Sequence, residues 1–125
     1  VSVKKLDDLT ILNDENVALI KIDVEGHELK VLKGAKKTLC KKMPAILFEQ
    51  QASDIVDGSS EVVKFLEGLG YGFFTIKKNF YLGESKFSKI ASLTLRTLLG
   101  EQFDFVEINE FKKVFYDMIL AVPKT

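Results

Sequence analysis

The chain has no tryptophan, one cysteine (Cys40), one histidine (His27) and two prolines (Pro44 and Pro123) among 125 residues. A lone cysteine excludes an internal disulfide, and beside a single histidine it cannot build a zinc cluster. Cysteine poverty suits a reducing compartment, so a cytoplasmic setting is the expectation. Net charge is missing too. Lysine plus arginine is 18 and aspartate plus glutamate is 18, which removes any bulk attraction to nucleic acid or an anionic membrane. No apolar run approaches the roughly 20 residues of a membrane span, and no charged-then-apolar leader opens the chain. There is no G-x-S-x-G, no P-loop and no H-E-x-x-H, and no internal repeat. What is present is a globular profile, 46% hydrophobic and 29% charged, with length for one domain. The start at Val1, on a strand-like V-S-V, reads as part of a longer protein.

Hydrophobic patterning predicts an α/β order. Residues 1–5 alternate and read as a short strand; residues 6–12 suit one or two helical turns. Residues 17–24 form a nearly continuous apolar run, the pattern of a strand buried on both faces of a parallel sheet. Gly26 ends it. A single helix over 27–42 follows, with Leu29, Leu32, Ala35 and Leu39 as its stripe and Val31 beside them. Its lysine-rich end complements the helix dipole, and Pro44 bars further helix. Residues 45–49 are a second strand and 50–58 a polar loop. Ser59 or Ser60 caps a helix that buries Val62, Phe65, Leu66 and Leu69, with Gly70 closing it. Residues 71–76 are a third strand and 117–122 a last one. Between these, a helix is expected over 88–100 and an extended segment over 103–108. Strand–helix–strand order with short connections argues for parallel βαβ units. The stretch 77–116 is long for a connection and reads as a lid or substrate insertion.

One stretch concentrates chemistry. In L-I-K-I-D-V-E-G-H-E-L-K-V-L-K-G-A, residues 19–35, a strand ends in Asp23 and Glu25. Gly26 turns the chain, and His27 and Glu28 open a helix. Asp23 and Glu25 stand two apart, which on a strand gives both the same face. Glu49 ends the next strand, so a parallel sheet brings it to the same edge, where α/β proteins place their sites. Such a group can act as a general base or hold a substrate hydroxyl. Each member has a plainer reading: Asp23 as a turn former, Glu28 in a first helical turn, His27 in solvent, Glu49 paired with a lysine. The lysines at 30, 33, 36, 37, 41 and 42 read as a solvated helix face.

K-I-D-V-E-G-H-E-L-K-V-L-K-G-A, residues 21–35, resembles the signature of the FkbM family of S-adenosylmethionine-dependent methyltransferases. V-S-V-K-K-L-D-D-L (1–9), P-A-I-L-F-E (44–49), L-G-Y-G-F-F (69–74) and M-I-L-A-V-P (118–123) fall in the family's order. The resemblance implies a partial Rossmann-like class I methyltransferase sheet, mostly parallel with an antiparallel last strand beside its predecessor, and helices on both faces. The whole chain, 1–125, would be the C-terminal portion of such a domain, because the glycine-rich cofactor loop that members carry upstream is not in this sequence. The implied cofactor is S-adenosylmethionine and the implied acceptor a hydroxyl of a sugar, lipid or small metabolite. By position, Asp23 stands nearest the transferred methyl, Glu25 and Glu28 are the signature glutamates with Gly26 between them, and Glu49 ends the fifth strand; His27 sits where the family is permissive.

Two other classes compete with an active methyltransferase. A non-catalytic α/β interaction module would follow from the missing cofactor loop, with homo-oligomers formed through the exposed edge of the 19–24 strand. A metal-dependent phosphotransfer site on Asp23, Glu25 and Glu49 would need a phosphate loop that the chain lacks.

Overall fold

The computed structural model describes residues 2–10, 15–78 and 103–124. Its strands are β1 (Leu19–Ile22), β2 (Ala45–Gln50), β3 (Tyr71–Lys78), β4 (Phe103–Glu107) and β5 (Tyr116–Pro123). Its helices are α1 (Glu28–Gly34), α2 (Lys36–Lys42) and α3 (Glu61–Gly68). The chain divides into two compact units, Val1–Thr75 with Glu107–Thr125, and Ile76–Val106. The second unit holds the end of β3 and nearly all of β4; the strand order is β1-β2-β5-β3-β4. The expected helix over 88–100 lies outside the described residues, as does most of the 77–116 insertion. Residues 2–5, expected as a strand, form none.

The first unit carries β1, β2, β5 and most of β3. β1 and β2 pair in parallel, Leu19 beside Ala45 through Ile22 beside Phe48. β5 pairs antiparallel with β2, Ile46 beside Ala121, and antiparallel with β3, Phe73 beside Ala121. The pairings are therefore mostly antiparallel, which corrects the mostly parallel sheet expected from the sequence. The cause is topological. β1, β2 and β3 all point the same way, but the last strand inserts between β2 and β3 with opposite sense and converts what would be one parallel contact into two antiparallel ones.

Helices on both faces is likewise corrected for the described residues. Ile22, Ile46, Phe48, Phe73, Ile119 and Ala121 alternate onto one face of the sheet and share a single buried cluster with Leu32, Leu39, Val63 and Leu66 from all three helices. The connections β1→β2 and β2→β3 step across the sheet in the same direction, so crossovers of one hand lay their helices on one side. Burying Leu32, Leu39, Ile46, Leu66 and Ile119 completely stabilises the unit by roughly 1.5–3 kcal/mol per side chain.

The single helix expected over 27–42 is two. The break falls at Ala35 (φ −111°, ψ 7°), yet Leu32, Ala35 and Leu39 stay in one buried row, so the stripe survives the kink. A break strands the first N–H groups of the second helix. They are met from thirty residues upstream: Lys37 N and Thr38 N both donate to the Asp7 carboxylate at 2.9 Å, and Thr38 Oγ1 donates to it at 2.8 Å. Asp7 lies on a 3-10 turn, Leu6–Asp8. Partial burial pushes its carboxyl up, but these hydrogen bonds and the nearby Lys37 charge outweigh that, and its pKa lies below the usual carboxylate value. α2 stops at Met43, in the left-handed region at φ 45°, with Pro44 next. α3 begins as read from sequence, with Ser60 Oγ accepting from Val63 N at 3.2 Å.

Candidate active site

β1 ends at Ile22, and Val24 to His27 form a turn closed by His27 N donating to Val24 O at 3.1 Å. Glu25 (φ 20°) and Gly26 (φ 79°) occupy its two corners with positive φ. Glu25 is thus on a turn, so the strand rule that would give it Asp23's face does not apply. The turn is steadied from below, where Gly26 N donates to Glu28 Oε1 at 3.2 Å. Glu28 uses its carboxylate on the turn that precedes it, which answers part of the plainer reading given above. His27 precedes α1 without capping it through its side chain and is exposed.

Glu49 alternates with Leu47 on the face of β2 opposite the buried Ile46, Phe48 and Gln50, and Asp23 lies one residue beyond the end of β1. Asp23 accepts from Lys21 Nζ at 3.2 Å with both side chains more than half exposed, a pair worth little to stability. Glu49 is half-buried. The expected constellation is therefore brought to one edge but not to one pocket. Glu49 stands on the open side of β2, Asp23 just past the end of β1, Glu25 and His27 on the turn, and Glu28 on the cleft side. Among the described residues no three Asp, Glu, His or Cys side chains gather closely enough to hold a metal ion, so Asp23, Glu25 and Glu49 do not form the metal-binding trio that a phosphotransfer site would use.

On the helix side, a cleft of about 440 Å³ opens between the starts of α1 and α3. Its lining includes Gly26, Glu28, Leu29, Gln50, Asp54 and Val62. Sequence reading placed Gln50 at the start of a polar loop. It is the last residue of β2 and only 2% exposed. A buried amide is costly unless its groups are bonded, and here they are. Ser60 Oγ donates to Gln50 Oε1 at 2.6 Å, and Gln50 Nε2 donates to Asp54 Oδ2 at 3.3 Å. The loop is folded to allow this. Val56 and Ser59 exchange backbone hydrogen bonds around Asp57 (φ 51°) and Gly58 (φ 74°), a two-residue hairpin turn of the kind that needs positive φ at both corners. That turn brings Asp54 and Ser60 back to the same glutamine. The local signal for Gln50 was its odd parity with Glu49: in β2, Ile46 and Phe48 face the core, and position 50 continues their row.

Adjacent parallel strands with an acidic turn at their carboxyl end, and a cleft beside it, define an α/β protein of the class whose sites commonly lie at strand ends. The family described as Methyltransferase FkbM domain matches residues 1–73. The chain belongs to that family. The matched residues hold β1 to the start of β3, including the whole D-V-E-G-H-E turn and the cleft. No curated protein and no solved structure matches the chain. Among the described residues no helix is long and apolar enough to cross a membrane.

The residues present can be tested against the cofactor the family implies. A Rossmann-like cradle for an adenosyl group needs a glycine-rich turn with free N–H groups after a strand. The strand–turn–helix unit here has one glycine in its turn, and that N–H is already taken by Glu28. The described residues do not fit as the cradle for S-adenosylmethionine.

Proposed function

We propose that this chain supplies the acceptor side of an S-adenosylmethionine-dependent methyltransferase, acting on a hydroxyl oxygen of a sugar, lipid or small metabolite. The observation that carries the reading is the D-V-E-G-H-E turn, displayed at the carboxyl end of adjacent parallel strands in a chain of the FkbM family. Methyl transfer to a hydroxyl needs the oxygen oriented and its proton accepted. Exposed carboxylates at a strand end meet both needs, and Asp23 and Glu25 are assigned that work, with Glu49 beside them and His27 at the rim. Glu28 and Gly26 shape the turn. The donor is held by residues other than those described here.

The test is turnover of an S-adenosylmethionine-dependent reaction by the complete protein and by its Asp23→Asn and Glu25→Gln variants, with thermal melts alongside. Loss of turnover at unchanged melting temperature supports the assignment; full activity in both variants overturns it.

A second reading rests on β1. Among the described residues it is the outermost strand of the sheet order, and Leu19 on it is 52% exposed. An unpaired apolar edge recruits another strand, so a non-catalytic pairing module, forming dimers through β1, is the alternative. Sedimentation of the 125 residues as a strict monomer at micromolar concentration would remove it.

A further inference from the structure

The cleft beside the acidic turn has a chemistry that narrows the acceptor. Its carboxylates are Glu28, Asp54 and Glu61, and its one cation is Lys30. The apolar part is Leu29, half-buried, and Val62, 8% exposed. The polar centre is the Gln50 amide, held by Ser60 on one side and Asp54 on the other. Ser60 has one hydroxyl proton and gives it to Gln50 Oε1, while its oxygen accepts from Val63 N. Asp54 can only accept. Together these fix which end of the amide faces which partner. Such a rigid polar group at the floor of a cleft, flanked by apolar side chains and rimmed by acceptors, is how ligand sites set orientation.

We propose that this cleft binds the acceptor as an uncharged, hydroxyl-rich unit of the size of a glycosyl residue, its C–H face on Leu29 and Val62 and its hydroxyls donating to Asp54, Glu28 and the Gln50 carbonyl. This rests on the methyl-transfer reading above and deepens it. Three carboxylates against one ammonium repel phosphorylated or carboxylated compounds. Glu28 accepts an internal hydrogen bond at one oxygen and Asp54 at both, from Gln50 Nε2 and from Ser53 Oγ, so the lone pairs that remain match hydroxyl donors better than an ammonium that would have to shed its full hydration. Gly26 lines this cleft and directly follows Glu25 in the chain, so the cleft opens at the acidic turn.

The test is amide-resolved NMR of the full 125-residue chain titrated with methyl glucoside, glucose 6-phosphate and glucosamine, with no methyl donor present. The expected result is saturable shifts for the glucoside at Gly26, Lys30, Ser60 and Glu61, with glucose 6-phosphate at least tenfold weaker. Asp54→Ala, on an exposed side chain, should weaken the glucoside about tenfold, as loss of one charge-assisted hydrogen bond implies. Asp54→Lys should narrow or invert the discrimination against the phosphate. Shifts confined to other residues, equal binding of glucose 6-phosphate, or tighter binding of glucosamine than of the glucoside each overturn the proposal. Glucoside binding in the cleft by a protein that transfers no methyl group would leave this site standing while the methyl-transfer reading fails. Methyl transfer to a phosphorylated acceptor alone would do the reverse.

Discussion

Replacing Asp7 with alanine should destabilise the first unit by about 2–3 kcal/mol. Three hydrogen bonds end on this carboxylate, two from the opening N–H groups of α2 and one from Thr38 Oγ1. Loss of a helix N-cap alone costs about 1 kcal/mol, with a range of roughly 0.5–2. The Thr38 side chain is 8% exposed, and stranding its hydroxyl adds about 1 kcal/mol or more. At roughly 4 °C per kcal/mol for a chain of this size, the melting temperature falls by about 8–12 °C. Asp7→Asn keeps one acceptor oxygen but turns an N–H₂ toward the second donor, so its loss is smaller. The pH dependence follows from the lowered folded pKa of Asp7. A carboxyl whose folded pKa lies below its unfolded one contributes stability that is fully present above the unfolded value, near 3.8, and is lost as pH falls through the folded value. Urea unfolding followed by circular dichroism should therefore give a constant gap between the parent and Asp7→Asn from pH 7 to about 5, closing below about 4. A parent and an alanine variant within 0.5 kcal/mol of each other, or a gap unchanged at pH 3, would refute the cap. So would amide exchange at Lys37 and Thr38 that the alanine variant leaves unaltered.

Two further outcomes follow from local geometry. Ser60→Ala removes both the α3 cap on Val63 N and the donor to the buried Gln50 carbonyl, and should cost about 2–3 kcal/mol in urea unfolding; a cost below 1 kcal/mol would mean that water replaces both bonds. Glu25→Gly relieves a non-glycine residue held at positive φ, so it should raise stability by about 1 kcal/mol while abolishing the proposed methyl transfer. A destabilised Glu25→Gly variant would instead show that the Glu25 side chain supports the turn.

The parts legible in the sequence were those governed by neighbours in the chain. A serine cap at 59 or 60 followed by Val62 and Leu66, and Gly70 at φ 89° after α3, needed only helix-end chemistry, while Val63 is buried where Phe65 and Leu69, expected inside, are only partly so. The apolar runs announced β1, β2 and β5 as strands, although β1, expected to be buried on both faces, buries only Ile22 and leaves Leu19 52% exposed; the spacing of Leu32, Ala35 and Leu39 announced the buried helix face. What could not be read was settled at a distance. The split of one helix into α1 and α2 depends on Asp7, whose partners are 30 and 31 residues away, while Gly34 and Ala35 alone would not have forced it. Gln50 looked like loop because its partner Ser60 lies beyond a hairpin turn. The pairing sense of the sheet turned on β5 returning from the end of the chain to slot between β2 and β3, and no local pattern in β2 or β3 records that intrusion.

The candidate site shows the same division at finer scale. Residue type and rough position of Asp23, Glu25, Glu28 and Glu49 were legible, because carboxylates at strand ends stand out against apolar runs. Their sides were not. A period of two assigns faces only while the strand lasts, and β1 stops at Ile22, one residue before Asp23 and three before Glu25. From there the Val24–His27 turn, with positive φ at Glu25 and Gly26, takes the chain out of the strand's alternation before Glu28 reaches the cleft. On the proposed reading, these carboxylates have separable work. Those on the cleft side, Glu28 with Asp54 and the locked Gln50 amide, can hold an acceptor. Glu25 at the turn and Asp23, in a solvent-exposed pair with Lys21, are the groups proposed to meet the acceptor hydroxyl. A base that must take a proton in the transition state gains from not being spent on binding in the ground state, and this turn keeps the two sets apart with four residues.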